Sequence, residues 1–200
     1  MSLLRPSASV GEQARIEGRR VFLRPPVAAD YEQWAALREA SREFLVPWEP
    51  IWPADDLGRP SWRRRLKRYA QELREDTGYA FFIFRREDSA LIGGATLSNV
   101  RRGVTQSCSL GYWMGQPYSG KGYMREAARA IVPFVFQQLG LHRLEAACVP
   151  NNEPSKAVLR YAGFQEEGLA RRYLRINGVW QDHVLFALLE SDLAARAPRL

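Results

Sequence analysis

The stretch Gly115–Ala127, GQPYSGKGYMREA, sets three glycines and a lysine just ahead of a helical pattern. These are residue types that hold phosphate. Gly115, Gly120 and Lys121 match G-x-x-x-x-G-K, the loop whose amides and lysine cradle a nucleoside triphosphate. That loop continues with a Ser or Thr that holds Mg²⁺, whereas Gly122 follows here. No apolar strand ending in Asp completes a metal site, so triphosphate hydrolysis fits poorly. Two readings stay open. One is a plain glycine turn between a strand and a helix. The other is a pyrophosphate cradle without metal, in which the amides of Gly120, Lys121, Gly122 and Tyr123 meet an anion at a helix N-terminus.

The elements that would carry this loop are legible as patterns. RRVFLRPP reads as a first strand stopped by Pro25 and Pro26. Asp30 and Gln33 resemble a capping box ahead of Tyr31, Trp34 and Leu37 at helical spacing. REFLVPWEPIWP is too broken by Pro and Trp for regular structure and reads as a shaped loop. Trp62, Leu66, Tyr69 and Leu73 form one stripe of a helix within residues 59–76, and Arg63, Arg64, Lys67 and Arg68 form its basic back. YAFFIFRR, ALIGGATLSNV and QSCSLGYWMG are three closely spaced strands, an antiparallel meander. A helix from Met124 to Leu139 follows the loop, and Pro133 should kink it. RLEAACVP is a strand. NNEPSKAVLRYAGF is a short helix with Pro154 in its first turn and Gly163 at its end. RRYLRINGVWQDHVLFALL is a hairpin around NG. The order predicts an α+β fold with one strand–helix–strand crossover in its second half.

Composition bounds the function. The chain has 200 residues, 46% hydrophobic and 26% charged, which suits one globular domain over 1–200 with its core at about 20–190. No apolar run reaches the length of a membrane span, and MSLLRPSASVGEQARIEG lacks a signal-peptide core. The chain therefore reads as cytoplasmic, with no membrane partner. The two cysteines, Cys108 and Cys148, lack metal-ligand spacing and read as packed thiols. The net charge of +7 admits nucleic acid, anionic membrane surfaces or acidic and phosphorylated ligands, and charge alone does not choose among them.

LGYWMGQPYSGKGYMREA followed by HRLEAACVPNNEPSKAVLRYAGF resembles the acetyl-CoA site of the GNAT superfamily of N-acetyltransferases. Pro117 stands where the superfamily's [Q/R]-x-x-G-x-[G/A] loop begins with Gln or Arg. FLVPWEP, LSNVRRG, LGYWMG, GKGYM and INGVWQDHVLFAL are similar to the ribosomal-protein-alanine N-acetyltransferases, over roughly Arg20 to Leu189. The resemblance implies a GNAT-type fold: a central, mixed, mostly antiparallel sheet of seven strands, flanked by helices. Its strands 4 and 5 splay apart around the pantetheine arm, with Cys108 at the start of one and Cys148 at the end of the other.

The resemblance also implies a site. Tyr112, Trp113 and Met114 on the splayed strand, Ser119 through Met124 in the loop (Ser119, Gly120, Lys121, Gly122, Tyr123, Met124), and Asn152, Ser155, Lys156 and Arg160 would hold acetyl-CoA. Backbone amides near Trp113 and Met114 would stabilise the oxyanion. Many members place a leaving-group Tyr seven residues after the Asn. That position is Leu159 here, and Tyr161 faces another way. Ser155 is then the candidate hydrogen-bond donor to the leaving thiolate; otherwise it only helps cap its helix. Lys121, Lys156 and Arg160 are candidate phosphate cations, or else solvated charges. Glu43, Trp48, Glu49 and His183 are acceptor-side candidates.

An amine attacks a thioester only when neutral. At pH 7 about a tenth of chain N-termini are neutral, against less than about a thousandth of lysines. QSCSLGYWMG carries no carboxylate, which fits an undemanding α-amine acceptor. The expectation is direct attack in a ternary complex on a protein N-terminus, a ribosomal protein by resemblance. Neither Cys is placed as a nucleophile. The rivals are the same fold acting on a small-molecule amine (a polyamine or an antibiotic) and a non-catalytic RNA- or ribosome-associated protein, with the basic helix as the RNA-facing surface. Oligomeric state is not legible.

Overall fold

The computed structural model describes residues 14–194, so most of the N-terminal stretch read above for a targeting signal lies outside them. One eight-stranded sheet runs β1-β2-β3-β4-β5-β6-β8-β7. The strands are β1 Ile16–Glu17, β2 Val21–Arg24, β3 Tyr79–Arg85, β4 Leu91–Arg101, β5 Ser107–Met114, β6 Arg143–Cys148, β7 Gln165–Ile176 and β8 Val179–Leu189. Neighbours are antiparallel except β5 and β6, which are parallel. Seven strands were expected. The eighth is the two-residue β1, too short to show a period of its own and defined by its pairing with Phe22 and Leu23.

The helices are α1 Tyr31–Ala40, α2 Arg42–Leu45, α3 Arg59–Arg74, α4 Tyr123–Pro133, α5 Glu153–Ala162 and α6 Glu190–Ala194. The unbroken apolar run of β3 is explained by burial on both faces. Tyr79, Phe81 and Ile83 join the cluster under α4 and α5, while Phe82 and Phe84 join Trp34, Leu37 and Trp62 beneath α1 and α3. Alternate residues of a strand face opposite sides. Trp62 stacks between Trp34 (4.8 Å) and Phe82 (5.8 Å), and deleting such a ring costs about 3–5 kcal/mol. Trp62 is buried and Arg63, Arg64, Lys67 and Arg68 are exposed, as the stripe predicts.

Three local expectations need correcting. Asp30 and Gln33 do not form a capping box. The Asp30 carboxylate takes both Arg24 guanidinium nitrogens (2.6 and 2.8 Å) and the Val27 amide (2.8 Å), and Gln33 Oε1 accepts from the Leu91 amide of β4 (2.9 Å). Charge-assisted and long-range partners outcompete the local cap. Residues 42–48 are not irregular either. They form α2 and a 3₁₀ turn, Val46–Trp48, held by the Leu45 amide on Ser41 O (2.9 Å). Finally, the helix after the loop is α only to Pro133. Its last turn, Phe134–Gln138, is a π turn closed by the Leu139 amide on Phe134 O (2.9 Å), the kind of local widening that a proline provokes.

The crossover β5–α4–β6 opens the site. β5 and β6 pair only at Ser107–Ser109 with Arg143–Glu145. Beyond Ser109 the strands part, leaving one edge of β5 from Leu110 to Met114 unpaired. This is the splay between the fourth and fifth strands of the seven expected. Cys108 lies near the start of β5 and Cys148 ends β6; both are free and buried. Among the described residues no helix is long and apolar enough to cross a membrane.

Candidate active site

A cavity of about 520 Å³ occupies the splay. Its floor is Leu110–Met114 of β5 and Ala147–Val149 at the end of β6. One end is Tyr118–Gly120 and Gly122–Arg125, and the other is Phe44, Leu45, Trp48, Glu49, Leu174, Ile176 and His183. Asn152, Pro154 and Ser155 of the α5 start form the facing wall.

The loop end is built from main chain. Gly120 has φ +72° and Gly122, the residue before α4, has φ +81°. Residues with a side chain avoid this left-handed region at a cost of about 1–2 kcal/mol. The amides of Gly120, Lys121, Gly122 and Tyr123 donate to no partner among the described residues. They lie where a helix N-terminus leaves donors unsatisfied and a positive dipole end. The loop is held from behind by Arg20, whose guanidinium donates to Lys121 O (3.2 Å) and Glu126 (3.0 Å) and lies 4.8 Å over the Tyr123 ring. Burial alone would raise the Glu126 pKa. Hydrogen bonds from the Arg20 amide and guanidinium outweigh it and hold the carboxyl below its usual range. The turn and cradle readings therefore describe one object: a tight turn that presents free amides.

At the floor, Gly115 donates its amide to Ile92 O of β4 (2.9 Å). Amides alternate in direction along an antiparallel strand. The Met114 and Tyr112 amides therefore turn toward the gap and that of Trp113 toward β4. Of the two expected oxyanion donors, Met114 has the required direction, while Trp113 contributes its indole, laid across Gly94.

The facing wall carries the polar chemistry. Asn152 Oδ1 accepts from the Ser155 amide (3.0 Å) and caps α5. The Ser155 hydroxyl takes no part in capping. Its Oγ lies 2.7 Å from the Tyr112 hydroxyl, whose single proton is within reach of both Ser155 Oγ and Ser155 O (3.2 Å). Burial pushes the Tyr112 phenol well above its ordinary pKa, and the Ser155 contact offsets this only partly, so Tyr112 stays protonated. Burial likewise raises the Cys148 thiol, against a lowering contact from Ser155, and pushes Cys108 up to about 12. Neither thiol is poised as a nucleophile. Leu159 is buried and Tyr161 is half exposed, off the cavity wall.

Tyr112, Trp113, Met114, Ser119, Gly120, Gly122, Tyr123, Met124, Asn152, Ser155, Trp48, Glu49 and His183 line one cavity. Four expected residues stand off it. Glu43 is exposed, and so is Lys121. Lys156 is paired with Glu153 (2.8 Å) and Arg160 with Glu166 (3.3 Å). A cation that the sequence reading passed over, Arg125 in the first turn of α4, does reach the cavity. Its only signal was its place three residues past the loop. Tyr112 is among the expected cofactor contacts, but its pairing with Ser155 spans 43 positions and has no local signature.

Glu49 also differs from its expectation. Both oxygens bind Arg38 (2.7 and 2.6 Å), and Oε2 accepts from Trp52 Nε1 (2.7 Å) as well. Arg38 lies 4.0 Å over Trp52 and 4.9 Å from the Trp113 ring. The Glu49 carbonyl accepts from the Asn177 amide at the β7–β8 turn (2.8 Å). Glu49 thus binds α1, the Trp loop and the hairpin together, with both oxygens already engaged by Arg38.

Residues 20–165 match the family model described as "Acetyltransferase (GNAT) domain". The "Probable N-acetyltransferase YjcK" of Bacillus subtilis is 37% identical over 177 residues, 88% of this chain and 98% of that one. The "[Ribosomal protein uS5]-alanine N-acetyltransferase" of Escherichia coli is 38% identical over 152 residues, 76% of this chain and 78% of that one. The structure of Mycobacterium smegmatis RimJ, solved with CoA-disulfide, superposes with a TM-score of 0.87 at 33% identity, covering 94% of this chain and 91% of that one. With the splayed sheet and amide loop in place, these matches show that the chain belongs to the GNAT family of acetyltransferases.

Proposed function

We propose that this protein transfers the acetyl group of acetyl-CoA to the N-terminal α-amine of a protein, with a ribosomal protein as the acceptor class, by direct attack within a ternary complex. The observation that carries the reading is the single cavity joining the free loop amides to the Tyr112–Ser155 pair and on to an aromatic and aliphatic mouth. A pyrophosphate suits the loop: its amides are unpaired and its glycines adopt φ values that let main chain approach an anion. Bound in this way, acetyl-CoA supplies an activated thioester. The chain's own residues then orient and polarise. The Met114 amide is directed toward the developing oxyanion. Ser155, backed by the protonated Tyr112, donates toward the leaving sulfur, and Asn152 keeps its Nδ2 donor for the pantetheine amide.

The mouth favours an α-amine over lysine. Its one lining carboxylate, Glu49, is neutralised by Arg38, so no free carboxylate is at hand for the strongly basic lysine. The uS5-alanine relative supports a ribosomal acceptor. The exposed back of α3, with Arg63, Lys67 and Arg74, suits approach to RNA-rich surroundings. Mass spectrometry of peptides incubated with acetyl-CoA tests the reading. Acetylation at the α-amine of peptides taken from ribosomal-protein N-termini is expected. Acetyl groups confined to lysine side chains or to small amines would overturn it.

A further inference from the structure

We propose that His183 is the base that takes the acceptor's ammonium proton, an inference that rests on the α-amine reading above. His183 lies on β8 one residue beyond Val184, whose pairing with Cys148 is the last between β8 and β6. Where β6 ends, the imidazole meets the cavity, although the residue as a whole is only 3% exposed. Nδ1 lies 3.0 Å from the Gln181 carbonyl of the same strand. A carbonyl oxygen can only accept, so Nδ1 carries the hydrogen, and the neutral ring must leave Nε2 with its lone pair. Nε2 makes no hydrogen bond among the described residues. Nor is it sealed from solvent: the sealed, unpaired side-chain atoms are Arg38 Nε, Trp62 Nε1, Arg65 Nε and Ser107 Oγ. Tyr173 meets the ring edge-on at 5.7 Å and fixes its plane.

The other titratable groups on the cavity wall are unsuited to the task. Glu49 has committed both oxygens to Arg38. Tyr112 and Cys148 are held protonated by burial. Tyr118 and Tyr123 are phenols, and Arg125 is a cation. On the strands beside His183, Tyr173 is the titratable group in contact, and Asp182 accepts from the Arg172 amide (2.9 Å). His183 alone among the lining side chains keeps an unshared nitrogen lone pair on a locked ring.

The proton balance follows. The acceptor ammonium gives one proton to Nε2 and becomes an amine. Its nitrogen bonds the acetyl carbon as the carbon–sulfur bond breaks. The second proton lost from nitrogen is matched by the one that sulfur receives through Ser155. The products are the amide and the CoA thiol, and Nε2 returns its proton to solvent.

Two measurements on the full chain decide the matter. The sequence has two histidines, His142 and His183, so ¹⁵N NMR at neutral pH can resolve both rings. The expected result is an Nδ1–H, bare-Nε2 tautomer for His183; an Nε2–H tautomer would overturn the proposal without reference to activity. The second is kcat/KM for H183Q against pH, with a peptide bearing a free α-amine. The expected loss is about 100-fold near pH 6.5, shrinking to within about threefold near pH 9.5, where the free α-amine is already neutral. CoA affinity should be unchanged. A loss that is the same at every pH, or no loss, overturns the proposal. If the wild type acetylates no α-amine while the tautomer is as expected, the acceptor reading fails, not the base. If H183Q does not fold, the tautomer decides.

Discussion

At the loop end of the cavity the polar groups are main-chain amides, fixed by two left-handed glycines and the first turn of α4. At the mouth they are side chains held by other side chains: Glu49 by Arg38 and Trp52, and His183 by a strand carbonyl and Tyr173. The two ends respond differently to substitution. A main-chain site tolerates changes in its side chains but not in its φ angles. A side-chain site keeps its backbone and loses its shape when one partner goes.

The largest expected effect is at the loop. Gly122→Val forces a β-branched residue to φ +81° and brings a Cβ within 3.3 Å of the Arg20 guanidinium. The turn must relax and its amides lose their common direction. CoA affinity, measured by calorimetry, should fall about 100-fold, equivalent to about 2.7 kcal/mol, while the melting temperature changes little. Unchanged affinity would show that the loop is only a turn.

At the mouth, Glu49→Gln removes one charge of a largely buried pair whose side chains are 8% and 19% exposed. An unpaired buried charge costs about 3–5 kcal/mol. Here Gln retains one acceptor for Arg38 or Trp52, so about 2 kcal/mol is expected, read as a lower urea midpoint. The acceptor KM should rise while the acetyl-CoA KM stays near that of the wild type. A change in both constants alike would erase the distinction between the two ends.

The same contrast explains what could be read in advance. The loop, the NNEPS start of α5 and the NG turn are set by residues close in sequence, and each stands where its pattern puts it. Asn177 and Gly178 have φ of 43° and 81°, the pair that a tight hairpin turn requires. The misreadings are local patterns captured by distant partners. Asp30 turned back to Arg24 and the Val27 amide rather than capping α1, Gln33 reached across to β4, and Glu49 closed on Arg38. Lys156 and Arg160 are expected phosphate cations, yet acidic neighbours pair with both. Charge in a sequence does not reveal which partner will claim it. Periodicity likewise placed His183 on a strand but said nothing of the carbonyl that fixes its tautomer.

The smallest effect concerns the one contact that bridges floor and wall. Tyr112→Phe leaves β5 and its burial intact but removes the hydroxyl 2.7 Å from Ser155 Oγ. If Ser155 alone serves the leaving sulfur, kcat should drop only about threefold, the worth of less than one ordinary hydrogen bond. If the two hydroxyls act as a unit, Ser155→Ala and the double variant should be equally slow, about tenfold below wild type, because removing either partner already breaks the unit. Multiplied losses in the double variant would mean that the Tyr112 hydroxyl acts independently of Ser155. Since burial keeps the phenol protonated across the working pH range, the Tyr112→Phe loss should be flat with pH. That separates it from the pH-dependent loss expected at His183 and assigns the two proton transfers to opposite sides of the cavity.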